Sequence, residues 1–178
     1  MLFRFAILAA AAALGGLATA VSRQPEAFQV ERSLFIAASP AKLFEIMADL
    51  RRYPEWNPWQ KIDANQISTI IGEPATVGTT FSWKGNSKVG QGQMKLARVE
   101  MNNELEIDLH FEKPFKADNR AIWTLAEHNG GTLVTWKMTG KNDKIMAKAF
   151  AMMVSMDKLV GGQFLEGLEK LKALAERA

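Results

Sequence analysis

The chain has 178 residues, 48% hydrophobic and 23% charged, with a formal net charge of +3. That length and balance suit one globular domain behind a short leader and argue against a disordered chain. Cysteine is absent, which removes thiol nucleophiles, disulfides and zinc–thiolate sites. No basic run is longer than Arg51-Arg52, so the sequence gives little support to nucleic-acid binding, whose electrostatic footprint is a clustered patch.

Residues 5–21 form an uncharged, alanine-rich stretch behind Arg4. A membrane-spanning helix needs about 20 apolar residues, and Gly15-Gly16 interrupts this one. Ala18-Thr19-Ala20 has the small-x-small pattern of a signal-peptide cleavage site. Residues 1–21 are therefore expected to be a signal peptide cleaved after Ala20, or else an N-terminal membrane anchor. Either route places the domain in the cell envelope, periplasmic or extracytoplasmic. Residues 22–27 read as a tether and 28–178 as the domain.

Residues 28–36 have the β-branched and aromatic content of a strand, with Val30, Leu34 and Ile36 on one parity. Ser39-Pro40 is a helix start, because the hydroxyl can accept from an orphan N–H and proline surrenders an N–H that had no partner. Leu43, Phe44 and Met47 give that helix one apolar face. Asp49 is placed to cap a second short helix expected to break near Pro54, and Trp56 and Trp59 flank a rigid Asn57-Pro58 step. Strands are expected over 66–71, 79–84, 89–99, 104–112, 117–127 and 132–140. The 104–112 segment alternates Leu105, Ile107, Leu109 and Phe111 with charged residues and His110, so one face is apolar and the other wet. Asn129-Gly130-Gly131 is a hairpin signal. From Asp143 to about Leu174 the period becomes helical, with Gly161-Gly162 expected to bend or loosen the helix. Strands followed by one long helix predict an α+β domain with that helix laid across one face of an antiparallel sheet.

The segment FQVERSLFIAASPAKLFEIMADLRRYPEWNPWQ (28–60), with GTLVTWKMTG (131–140) and the Met-rich approach to DKLVGGQFLEGLEKLK (157–172), resembles the START-like or SRPBCC superfamily. The likeness is greatest to its polyketide cyclase/dehydratase-like branch and covers about residues 28–174. It implies the helix-grip (START/Bet v 1-like) fold, a curved sheet wrapped around a long C-terminal helix in the order β-α-α-β6-α, with apolar molecules held in the gap. Many relatives also keep an N-terminal anchor helix. The superfamily includes cyclases, lipid carriers, hormone receptors, co-chaperones and oxygenase domains, so the resemblance leaves the activity open.

Strand parity directs Phe81, Trp83, Met94, Ile107, Leu109, Trp123, Trp136 and Met138 toward the final helix, which answers with Met153 and Met156. These are the expected ligand-binding residues. Five of the nine methionines fall in the last strand and helix, and thioethers suit adaptable apolar sites. Gly90 and Gly92 share the parity of Met94 and are expected to leave space. The inward polar residues, Arg32, Arg98, Asn119 and Asp157, are the candidates for catalysis. The resemblance implies that cyclases of this kind orient substrates with pocket Arg and Tyr, yet the only tyrosine is Tyr53, in the Trp loop. His110 and His128 are isolated and expected to face solvent, and Glu104, Glu106 and Asp108 to form a solvated face. No metal or cofactor is expected. The expected function is binding or transport of a small hydrophobic ligand (lipid, isoprenoid or polyketide-like) in an internal cavity. The alternative is a cyclase/dehydratase-type enzyme, and a co-chaperone-like module fits export less well. No nucleic-acid partner is expected, membrane association would run through residues 5–21, and the oligomeric state is open.

Overall fold

The computed structural model describes residues 19–23, 25, 27–141, 148 and 155–177. Its elements are β1 (Ala27–Ile36), α1 (Pro40–Ala48), α2 (Tyr53–Trp56), β2 (Ile67–Ile71), β3 (Thr80–Lys84), β4 (Gln91–Glu100), β5 (Glu104–Lys113), β6 (Ala117–His128), β7 (Gly131–Lys141) and α3 (Met156–Ala175). The strands make one antiparallel sheet in the order β1-β7-β6-β5-β4-β3-β2. The element order is the one expected from the sequence. α3 lies along β1, beside α2 and β7, with α1 and α2 filling the space next to it.

Local signals account for most boundaries. Ser39 caps α1 by accepting from the backbone N–H of Lys42, with Pro40 in the first turn. Asn129 and Gly130 both have positive φ and connect His128 to its partner Gly131, which is the geometry of a two-residue type I′ hairpin. Pro54 behaves differently from expectation, since it lies in the first turn of α2 and starts that helix instead of breaking it. Asp49 does not cap α2. It ends α1, and its carboxylate accepts from the backbone N–H of Arg51.

Of the helix expected from Asp143, residues 142–147 and 149–154 lie outside the described residues, and the described part is interrupted at Ser155. α3 begins at Met156 with its own cap, because Ser155 is extended (φ −74°, ψ 144°) and its hydroxyl accepts from the N–H of Lys158. Met153 lies outside the described residues. α3 then runs unbroken for 20 residues through Gly161-Gly162. Gly161 exists for close approach, since a Cβ there would collide with the Arg32 guanidinium, whereas a Cβ on Gly162 would meet nothing within 4 Å. Gly162→Ala should therefore stabilise the fold by about 0.5–1 kcal/mol through helix propensity. Gly161→Ala should give no such gain, because it displaces Arg32. Urea denaturation of the two variants checks this, and equal stabilisation would show that the guanidinium does not select glycine at 161.

Candidate functional site

Register alignment converts the concave face of the sheet into rows that cross the strands. Three rows are covered. One joins Val30, Met138, Ala121, Ile107 and Leu96, and the next joins Arg32, Trp136, Trp123 and Leu105. Beyond them Leu34, Val134 and Leu125 continue under α1 and α3.

The Trp loop fills this covered half. Trp56 is completely buried, edge-on to Trp123 at 4.9 Å and to Trp136 at 5.6 Å between centroids. Phe164 of α3 stacks on Trp136 at 4.5 Å, and Trp59 meets both rings edge-on. Tyr53 packs against Trp56, Phe81 and Trp123, and its burial pushes the phenol pKa up. Trp123, Trp136, Phe81 and Ile107, the residues expected to bind a ligand, lie in this packed core, as do Met94 and Met138. The cause is the Asn57-Pro58 knuckle. Asn57 is buried, donates its N–H to the Tyr53 carbonyl and accepts from the N–H of Trp59 through its side chain, which turns both tryptophans inward.

Among the described residues, no helix packs over the other half of the concave face as α1 and α3 do over the first. One row crosses the whole sheet as Phe28, Gly140, Asn119, Leu109, Met94, Phe81 and Ile70. The row beyond it contains Trp83, Gly92, Phe111 and Ala117. Phe28, Trp83 and Leu109 are only partly buried although they adjoin the core, and Phe111 is partly buried too. Trp83 meets Phe111 edge-on at 5.6 Å. Gly92 does not leave empty space, because the Trp83 indole lies across it and a Cβ there would come within 2.7 Å of the ring. Gly90 serves a turn at φ +75°, where a Cβ would strike the Lys113 carbonyl. Gly140 gives room to the Phe28 ring and the Asn119 amide in the same way.

The candidate polar residues separate. Asn119 stands inward and half-buried in the middle of the open row, and forms no hydrogen bond among the described residues. Arg32 and Asp157, expected singly, come together as a bidentate pair at 2.7 and 3.0 Å across the start of α3. Hydrogen bonding from Arg32 holds the Asp157 carboxyl below its ordinary value. Met156 is half-buried beside the pair's helix turn.

Arg98 is not on the concave face. Between Leu96 and Arg98 the register shifts by one residue, so Leu96 opposes Ile107 while Arg98 opposes Glu106. Ala97 is the extra residue of a β-bulge, and every later side chain in β4 changes face. Arg98 therefore bridges Glu100, Glu104 and Glu106 on the outer surface, and Arg120 bridges Glu106 and Asp108 at 2.7 and 2.6 Å. Hydrogen bonding from Arg98, then from Arg120, holds the Glu106 carboxyl below the usual glutamate value against its partial burial. A carboxyl with a depressed folded pKa contributes stability above its unfolded pKa of about 4.3 and loses it as pH falls through the lower folded value. Glu106→Gln should accordingly lose less stability than the parent between about pH 5 and pH 3, by under ~1 kcal/mol for a surface network. Urea midpoints at the two pH values test this, and identical losses would overturn it.

The two histidines are also on the outside. His110 contacts Asp118 at 2.5 Å, and His128 is exposed beside Asn129. Among the described residues no three His, Asp or Glu side chains gather as a metal site would require, and no helix is long and apolar enough to cross a membrane.

Comparison with known proteins agrees with this architecture. The structure superimposes on protein CV1439 from Chromobacterium violaceum with a TM-score of 0.60 at 14% identity, covering 86% of this chain and 99% of that one. It superimposes on Ara h 8.0201 with a TM-score of 0.60 at 13% identity, covering 84% and 97%. The di-domain ARO/CYC StfQ from the steffimycin biosynthetic pathway gives 0.60 at 9% identity, over 85% of this chain and 51% of that one. These likenesses establish the helix-grip fold. No curated protein matches the sequence. The model of one family, described as polyketide cyclase / dehydrase and lipid transport, matches residues 27–176. With that match spanning nearly all of the folded chain, the protein belongs to the polyketide cyclase / dehydrase and lipid transport family.

Proposed function

We propose that the protein binds and carries a small, mainly apolar molecule on the open half of its concave face. The observation that supports this reading is the stripe of Phe28, Trp83, Leu109 and Phe111, only partly buried among the described residues, with the first three packed against the core and Phe111 against Trp83. Covering such a stripe gains about 25 cal/mol per Å² of apolar surface removed from water. The unpartnered Asn119 amide, which can donate or accept, would hold a carbonyl or hydroxyl of the ligand and set its orientation. Lipids, isoprenoids and polyketide-like molecules all have this combination of an apolar body and one polar group.

Carriage is favoured over catalysis by the chemistry of the described concave face. The Asn119 amide does not titrate near neutral pH, and the Arg32 guanidinium and Asp157 carboxylate are engaged with each other. Arg98, a candidate acid–base partner by sequence parity, faces the opposite side. The reading extends to a cell-envelope location, supported by the uncharged segment 5–21. Native mass spectrometry of gently purified protein should show a co-purified lipid or isoprenoid. A ligand-free protein that also fails to bind a fluorescent fatty acid would overturn the proposal.

A further inference from the structure

The open rows lead to one end of the sheet, and that end carries an unusual combination of charge and exposed apolar surface. The loop between β3 and β4 and the loop between β5 and β6 adjoin there, enclosing a groove of about 440 Å³ lined by Lys84, Asn86, Ser87, Gly90, Lys113 and Pro114. Phe115, at the tip of the second loop, is 76% exposed, with Lys113 on one side and Lys116 on the other. Lys88 on the first loop and Lys141 at the end of β7 are exposed at the same end. None of these five lysines has an ion-pair partner among the described residues. Among the described residues the nearby carboxylates Asp63, Glu112 and Asp118 are engaged with other groups. Asp63 accepts from the backbone N–H groups of Asn65 and Asn86, Glu112 from Gln91, and Asp118 contacts His110.

β1 also begins at this end, since Ala27 pairs with Lys141. We propose that this end docks the domain on an anionic lipid bilayer, with Phe115 inserted at headgroup level and the lysines against lipid phosphates. An exposed aromatic ring at the same end as five exposed lysines has the chemistry of such a surface. It gains from apolar burial at the interface and from the negative surface potential, at roughly a fivefold change in partitioning per lysine. The row of Trp83, Gly92, Phe111 and Ala117 lies next to this end, so a ligand passing between bilayer and protein would have a short path. Docking stands on the loops alone and does not depend on what the concave face holds.

The absence of cysteine allows a site-specific test in the full chain. Phe115→Cys and Met101→Cys, each labelled with bimane, report on the two opposite ends, Met101 being 80% exposed in the β4–β5 turn. With phosphatidylglycerol-containing vesicles the label at 115 should shift to the blue, while the label at 101 should not. The shift should vanish at high salt, and Lys113→Gln/Lys116→Gln should raise the half-maximal vesicle concentration about 30-fold. An absent shift at 115, an equal shift at 101, or an equal response to pure phosphatidylcholine would each overturn the proposal. A comparable shift with an RNA homopolymer would also overturn it in favour of a general polyanion site. Fatty-acid binding measured in the same lysine variants should be unchanged, which separates docking from ligand binding.

Discussion

Trp56→Ala should destabilise the protein by about 3–5 kcal/mol, the range for emptying a large buried aromatic site. Trp56 is wholly buried and touches Tyr53, Trp123 and Trp136, so its removal leaves a void bordered by three rigid rings that cannot collapse together. Its indole N–H is buried without an acceptor, so the ring contributes through packing and not through a hydrogen bond. Trp56→Phe should accordingly cost less than half as much as the alanine variant, having no polar partner to orphan. Urea denaturation followed by far-UV circular dichroism measures both. A loss below ~1 kcal/mol for Trp56→Ala would mean that the Trp loop is peripheral to the core.

Phe111→Ala should weaken binding of a fluorescent fatty acid about 30-fold. Truncation of the ring removes on the order of 80 Å² of apolar contact, which at about 25 cal/mol per Å² amounts to about 2 kcal/mol. Because Phe111 is only half-buried in the free protein, its loss should lower folding stability far less than Trp56→Ala does. Trp136→Ala should show the opposite balance, since that ring is stacked on Phe164 within the core. Titration and denaturation of the same two variants check this contrast. Unchanged affinity in Phe111→Ala would remove the open rows as the ligand site.

Several parts of this site were legible in the sequence because period-2 alternation reports the face of every residue in a regular strand. Trp83, Leu109 and Asn119 stand on the concave face where alternation puts them. Arg98 escaped because a one-residue bulge at Ala97 inverts parity, and nothing in the run Leu96-Ala97-Arg98 marks the insertion. The break before α3 did have a signal. Ser155 followed by Asp157 is a helix start embedded in a stretch whose apolar spacing continues through it. Gly161 reads as a helix weak point and Gly167 is a further glycine inside α3, but the role of each depends on partners distant in sequence. Arg32 lies against the first, and a Cβ on the second would come within 2.8 Å of the Trp136 ring.

By itself the sequence determined the elements, their order and the apolar face of each, because propensity, caps, turn residues and periodicity act over a few neighbouring positions. Those local terms suffice for an α+β domain with one long helix on an antiparallel sheet, and the family resemblance added the helix-grip arrangement. Only the tertiary structure decided how the concave face is divided. The Asn57-Pro58 knuckle turns Trp56 and Trp59 into the space that parity alone would have left for a ligand, and the open rows begin where those rings end. It also gathered Lys84, Lys113, Phe115 and the start of β1 at one edge, although they are widely separated along the chain. Volume filling and the meeting of distant loops depend on the whole fold, and no local pattern in the chain encodes them.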